Sequence, residues 1–120
     1  MEEQDLDWRH YLIYFLVFVF AIIASNAFSQ ITVVHVNADW NSSNNVAWFM
    51  DLEECKTKKY ILIEKDPEVQ KKHKIAVVPT IIIFKDGEEV ARFQADLSFK
   101  MVATRREVQE EIDNQLMSDF

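Results

Sequence analysis

One cysteine, one glycine and two prolines are all that 120 residues hold of these three types. The lone thiol, Cys55, excludes an internal disulfide and a dithiol active site within one chain. A structural zinc site is excluded with it, because His10, His35 and His73 are scattered and no second cysteine stands near them. Basic patches are lacking as well. From Ile31 onward 16 Asp/Glu face 12 Lys/Arg, a net of −4, and the cations are interleaved with acids. No nucleic-acid partner is expected from such a surface, and the acidic balance mainly favours solubility. No internal repeat or low-complexity linker is present, and no residue cluster implies a metal or another cofactor.

One long apolar run is present. Tyr11 to Ala24 reads YLIYFLVFVFAIIA, and nothing after it repeats that density. Ser25-Asn26-Ala27 follows, small residues of the kind a signal peptidase reads. Residues 1–30 are therefore expected to be a signal peptide or an N-terminal membrane anchor, with a folded domain over 31–120. The opening MEEQDLDWRH is acidic, where a signal peptide normally carries positive charge. Counted to Phe28, the run is just long enough to span a bilayer, which needs ~17–25 residues. Arg9 precedes it and no Lys or Arg occurs from Gln30 to Met50. That asymmetry places the domain outside the cytoplasm, exported or membrane-anchored through residues 11–28. A third reading makes the run a buried first helix of the domain, although it has no polar face.

Beyond the run, Ile31 to Val36 is β-branched and apolar, as in a central strand buried on both faces. Asn37 to Asn45 is polar and rich in capping residues, so a helix is expected to begin near Asn44. Val46, Phe49, Met50 and Leu52, with Cys55, would form its apolar side, and Lys56, Lys58 and Lys59 its C-terminal end. Tyr60 to Glu64 reads as a second strand. Asp66-Pro67 predicts the start of a short helix ending near Lys74, and the KKHK run at 71–74 is its solvated end. Thr80 to Phe84, the Asp86-Gly87 turn and Glu89 to Phe93 predict a hairpin. Thr104 and Glu107 form a capping box, after which Val108, Ile112 and Leu116 line one helical face. The order β-α-β-α-β-β-α implies an α/β fold, with parallel strands joined by crossovers and an antiparallel edge.

Three strings in that order resemble the thioredoxin-like family. Ala38-Asp39-Trp40 is similar to the end of its central strand, and Val77-Val78-Pro79-Thr80 to the start of a later one. Phe84 to Glu88 is similar to its hairpin turn. The resemblance spans Ile31 to Leu116 and implies a three-layer fold with a mixed sheet of about four strands, a C-terminal hairpin and a helix. It also implies a cis bond before Pro79. The family's Cys-x-x-Cys would follow the tryptophan, where this chain reads Asn41-Ser42-Ser43-Asn44, and its buried aspartate would stand at His35. Asn and Ser cap helices but form no disulfide.

The expected function is therefore a redox-inactive binding module, exported or tethered, that engages an extended peptide or protein at Trp40, Val78, Pro79 and Thr80. Asn41 and Asn44 are the degenerate catalytic positions. A thiol-exchange accessory acting through Cys55 or a partner's cysteines is the alternative, and a structural scaffold is a third. Cys55 itself reads more simply as a small core residue. His35 reads as a hydrogen-bonded core histidine, and Trp40 as an aromatic closing the end of the sheet. Asn41-Ser42-Ser43 also fits the N-glycosylation acceptor pattern.

Overall fold

The structure is a computed structural model and describes residues 30–118. The reading of residues 1–29 as a leader, anchor or first helix lies outside the described residues. Among residues 30–118, no helix is long and apolar enough to cross a membrane.

Four strands form one mixed sheet: β1 (Ile31–Asn37), β2 (Thr57–Leu62), β3 (Thr80–Lys85) and β4 (Glu88–Gln94), in the order β2-β1-β3-β4. β2 runs parallel to β1, while β3 is antiparallel to both β1 and β4. Helix α1 (Pro67–Lys72) lies on the crossover from β2 to β3, and α2 (Arg105–Met117) follows β4. The α/β class, the four mixed strands and the C-terminal hairpin and helix agree with the sequence reading.

Period-two alternation along β1 and β3 feeds two cores. Ile31, Val33, Ile81 and Ile83 meet Phe49, Leu52, Val108 and Ile112 on one face. Val34, Val36 and Ile82 meet Ala38, Ile75 and Val78 on the other, with Val69 of α1 beside them. The sheet is thus the middle of three layers. Asp86 and Gly87 both have positive φ (53° and 87°), as a two-residue type I′ hairpin turn requires. Thr104 caps α2 as its sequence predicts, its Oγ1 accepting the Glu107 N–H at 3.2 Å.

The helix expected from Asn44 does not form. In its place stand two short 3₁₀ helices, Asp39–Asn44 and Phe49–Asp51. The backbone bonds here are i→i+3, with Phe49 N–H on Val46 O at 3.1 Å and Leu52 N–H on Phe49 O at 3.3 Å. Lys58 Nζ donates to the Met50 and Leu52 carbonyls at 2.6 and 2.9 Å, which an α-helix would need for its own ladder or end, and the Tyr60 hydroxyl reaches Val46 O at 3.4 Å. Those cations belong to a strand, not a helix end: β2 begins at Thr57 and includes Lys58 and Lys59. Cys55 likewise lies between the second 3₁₀ helix and β2, not on a helix. Asp66 precedes α1 but makes no side-chain cap bond.

Candidate functional site

β1 ends at Asn37, whose side chain is fully buried and still satisfied. Its Nδ2 donates to Asn41 O at 3.1 Å and to Asn45 Oδ1 at 2.6 Å. Asn41, only 3% exposed, returns the contact: its Nδ2 lies 3.0 Å from Asn37 Oδ1. The same nitrogen reaches Phe99 O at 3.1 Å and, more weakly, Val78 O at 3.4 Å. Asn44 Nδ2 closes the set on Asn41 Oδ1 at 2.8 Å. The result is an amide clasp joining four segments: the end of β1, the first 3₁₀ helix, the stretch before β3 and the turn after β4. Buried amides tolerate this position because nearly all their donors and acceptors are used.

Around the clasp the expected site residues come together. The Val78–Pro79 bond is cis, as the resemblance implies. Pro79 O accepts the Ala95 N–H at 3.0 Å, whereas the Val78 N–H has no hydrogen-bond partner among the described residues. The side chains of Val78, Pro79 and Thr80 are buried, and the Thr80 hydroxyl donates to Val77 O. Thr80 therefore has no free hydroxyl, and among the described residues the backbone here is left unsatisfied at the Val78 N–H. Trp40 is 64% exposed and does not close the sheet end as a buried aromatic would. It meets Phe99 edge to face, with ring centroids 5.0 Å apart.

Phe99 was not legible as a site residue. It sits in the Asp96–Lys100 turn, held by Asp96 Oδ1, which accepts the backbone N–H groups of Ser98 (2.9 Å) and Lys100 (3.3 Å). Hydrogen bonds from Ser98 and Lys100 hold the Asp96 carboxyl below its ordinary pKa. Phe99 takes positive φ (63°), an uncommon conformation for a bulky residue, and this directs its ring toward Trp40. Nothing in the local sequence signals that conformation.

The remaining candidates lie elsewhere or are engaged. His35 is fully buried between Phe49 and Tyr60, with centroids at 5.3 and 4.5 Å. Its Nε2 accepts the Val46 N–H at 3.1 Å, and its Nδ1 has no partner among the described residues. Burial pushes its pKa down to about 4, so the ring is neutral near pH 7. Cys55 is half-buried against the α2-side core, and its thiol donates to Glu53 O at 3.3 Å. Burial raises its pKa, a shift the nearby Lys58 only partly offsets, which works against a reactive thiolate. Among the described residues no group of His, Cys, Asp and Glu is arranged to hold a metal. The clasp amides are thus spent on one another and on nearby carbonyls, and beside them lie the Val78 N–H and the Trp40–Phe99 pair.

Comparison with known proteins follows the same line. No family model matches the chain. Thioredoxin Y1, a chloroplastic protein of Arabidopsis thaliana, is 46% identical over 44 residues. That segment is 37% of this chain and spans about a quarter (26%) of the plant protein. A mutant thioredoxin from Halobacterium salinarum NRC-1 superposes with a TM-score of 0.57 at 15% identity, covering 72% of this chain and 75% of that one. Thioredoxin-2, described as a component of malaria parasite protein secretion machinery, gives 0.54 at 15% identity, covering 72% and 84%. Sheet order, the cis proline and these likenesses agree: the chain has a thioredoxin-like fold.

Proposed function

We propose that the chain is a redox-inactive thioredoxin-like module that binds an extended peptide segment of a protein partner across Trp40, Phe99 and the Val78–Pro79 backbone. The observation that carries this reading is the exposed Trp40–Phe99 pair standing beside the Val78 N–H, which has no hydrogen-bond partner among the described residues. Aromatic faces supply contact area at low entropic cost, and an open backbone group supplies the directional bond that strand-like ligands use. Asn41 and Asn44 stand where the resemblance puts a dithiol, and the single cysteine leaves none to form. Thiol exchange through Cys55 is the weaker reading, since burial and the raised pKa oppose it. Whether the module works tethered or free depends on residues 1–30 and not on this groove.

The test uses the full chain and fluorescein-labelled insulin B chain, reduced and carboxamidomethylated so that no thiol remains. Binding by fluorescence anisotropy should weaken at least tenfold in Trp40→Ala and stay unchanged in Cys55→Ser. Equal binding by wild type and Trp40→Ala overturns the site. Insulin-reduction turnover that disappears in Cys55→Ser would replace the binding reading with the exchange one.

A further inference from the structure

On the peptide reading of the groove, we propose that Asn41 is a positioning residue that closes the Asp96–Lys100 turn, and Phe99 with it, onto a segment paired with the Val78 backbone. A side-chain amide nitrogen carries two hydrogens. That of Asn41 faces three oxygens: Asn37 Oδ1 at 3.0 Å, Phe99 O at 3.1 Å and Val78 O at 3.4 Å. Two hydrogens for three acceptors leave one of them shared, and the longest contact, to Val78 O, is the one that yields.

The turn can respond to that shift. All five of its residues are exposed, and its own bonds are internal. Phe99 N–H donates to Asp96 O at 3.1 Å and Asp96 N–H to Lys100 O at 3.0 Å, while Asp96 Oδ1 accepts from the Ser98 and Lys100 backbone. Among the described residues, the bond from Asn41 to Phe99 O is the only hydrogen bond that ties residues 96–100 to the rest of the protein. Leu97 at the tip is 96% exposed, and Phe99 holds a positive φ that few bulky residues adopt. The place of the turn therefore depends on this bond and on the ring contact with Trp40.

A bound strand supplies the change. In an antiparallel pair a residue can exchange both its N–H and its C=O with one partner residue. The Val78 N–H has no partner among the described residues, and Val78 O holds only the 3.4 Å contact. A peptide residue seated there gives its own N–H to Val78 O, and the shared Asn41 hydrogen passes to Phe99 O. The turn is then held more firmly, with Phe99 and Trp40 on the bound side chain. Linkage makes the effect reciprocal, so a firmer turn also holds the peptide more tightly.

Mobility of the turn tests the coupling. A nitroxide on Leu97→Cys, in the full chain with Cys55→Ser, is followed by electron paramagnetic resonance. The probe is the carboxamidomethylated insulin B chain, with saturation judged by anisotropy. The label's correlation time should rise about twofold when Asn41 is present and stay unchanged in Asn41→Ala, which should also bind the peptide more weakly. In the isotopically labelled chain with Asn41 intact, NMR should find exchange of the Asn41 side-chain amide hydrogens with water slowed about fivefold at saturation. This second measurement keeps the test intact should Asn41→Ala misfold. Peptide binding without slowing of the label, equal slowing in Asn41→Ala, or an unchanged exchange rate overturns the coupling and leaves the groove reading standing. Absence of peptide binding overturns the groove reading, and the coupling with it.

Discussion

Asn41 Nδ2 and the Phe99 carbonyl oxygen lie 3.1 Å apart, across 58 residues of sequence. This one bond couples the turn after β4 to the first 3₁₀ helix. Replacing Asn41 with Ala leaves Phe99 O, Asn37 Oδ1 and Asn44 Nδ2 without that partner at once. A loss of about 1–3 kcal/mol is expected for polar groups left unpaired in a buried site. Urea unfolding of the full-length variant measures it, and a change under ~0.5 kcal/mol would show that the clasp is not structural.

Asn41 and Asn44 already touch through their side chains at 2.8 Å. Their joint replacement by cysteine, in a Cys55→Ser background, should therefore give a disulfide that closes without moving the backbone far. Mass spectrometry after mild oxidation should find the protein two hydrogens lighter and monomeric. Intermolecular dimers in place of the internal bond would mean that the two positions are not presented as a pair.

His35 predicts an acid-side loss of stability. Its folded pKa of about 4 lies below the ~6.5 of an unfolded histidine, so the unfolded chain takes up the proton first. Stability is therefore complete above pH ~6.5 and falls as pH drops toward 4, by roughly 3 kcal/mol for a shift of this size. Protonation also destroys the acceptor lone pair that holds the Val46 N–H. In His35→Phe this component of the pH dependence should vanish: stability is lower than wild type near pH 7, where Val46 N–H loses its acceptor, and the difference closes as pH falls toward 4. Denaturation midpoints at pH 7, 6, 5 and 4.5 separate the two behaviours.

Lys74 offers a stabilising change. It follows α1 with φ of 52°, and the Ile75 and Lys74 N–H groups return to Gln70 O (2.9 Å) and Lys71 O (3.3 Å). This is the Schellman arrangement, in which glycine is favoured at the left-handed position. Lys74→Gly should raise stability by about 1 kcal/mol. Thermal unfolding would contradict this if the midpoint fell.

The strands were legible because Ile31 to Val36 and Thr80 to Phe84 state their period and their burial in residue type alone. The capping box at Thr104 and Glu107 located α2 for a similar reason: both partners are local. The segment from Asp39 to Asp51 was not legible, since its fate is decided from outside. Asn41, Asn44 and Asn45 bond to Asn37 or to one another, and Lys58, from β2, takes the Met50 and Leu52 carbonyls. Short polar side chains that compete for backbone and neighbour groups read as caps in sequence and act as a network in space. Of the site, Trp40 and Pro79 were visible through resemblance. Phe99 was not, because its role depends on a backbone conformation that no neighbouring residue announces.

The buried amide of Asn41 also sets the order of two events. Asn41-Ser42-Ser43 fits the acceptor pattern, yet its asparagine nitrogen is committed to three oxygens and shielded from solvent. A sugar-transferring enzyme could reach it only on a chain that has not yet closed the clasp. Once attached, the glycan would occupy the nitrogen and hold the turn carrying Phe99 away. Glycosylation here would therefore act as a timer, marking those molecules in which the enzyme arrived before the fold.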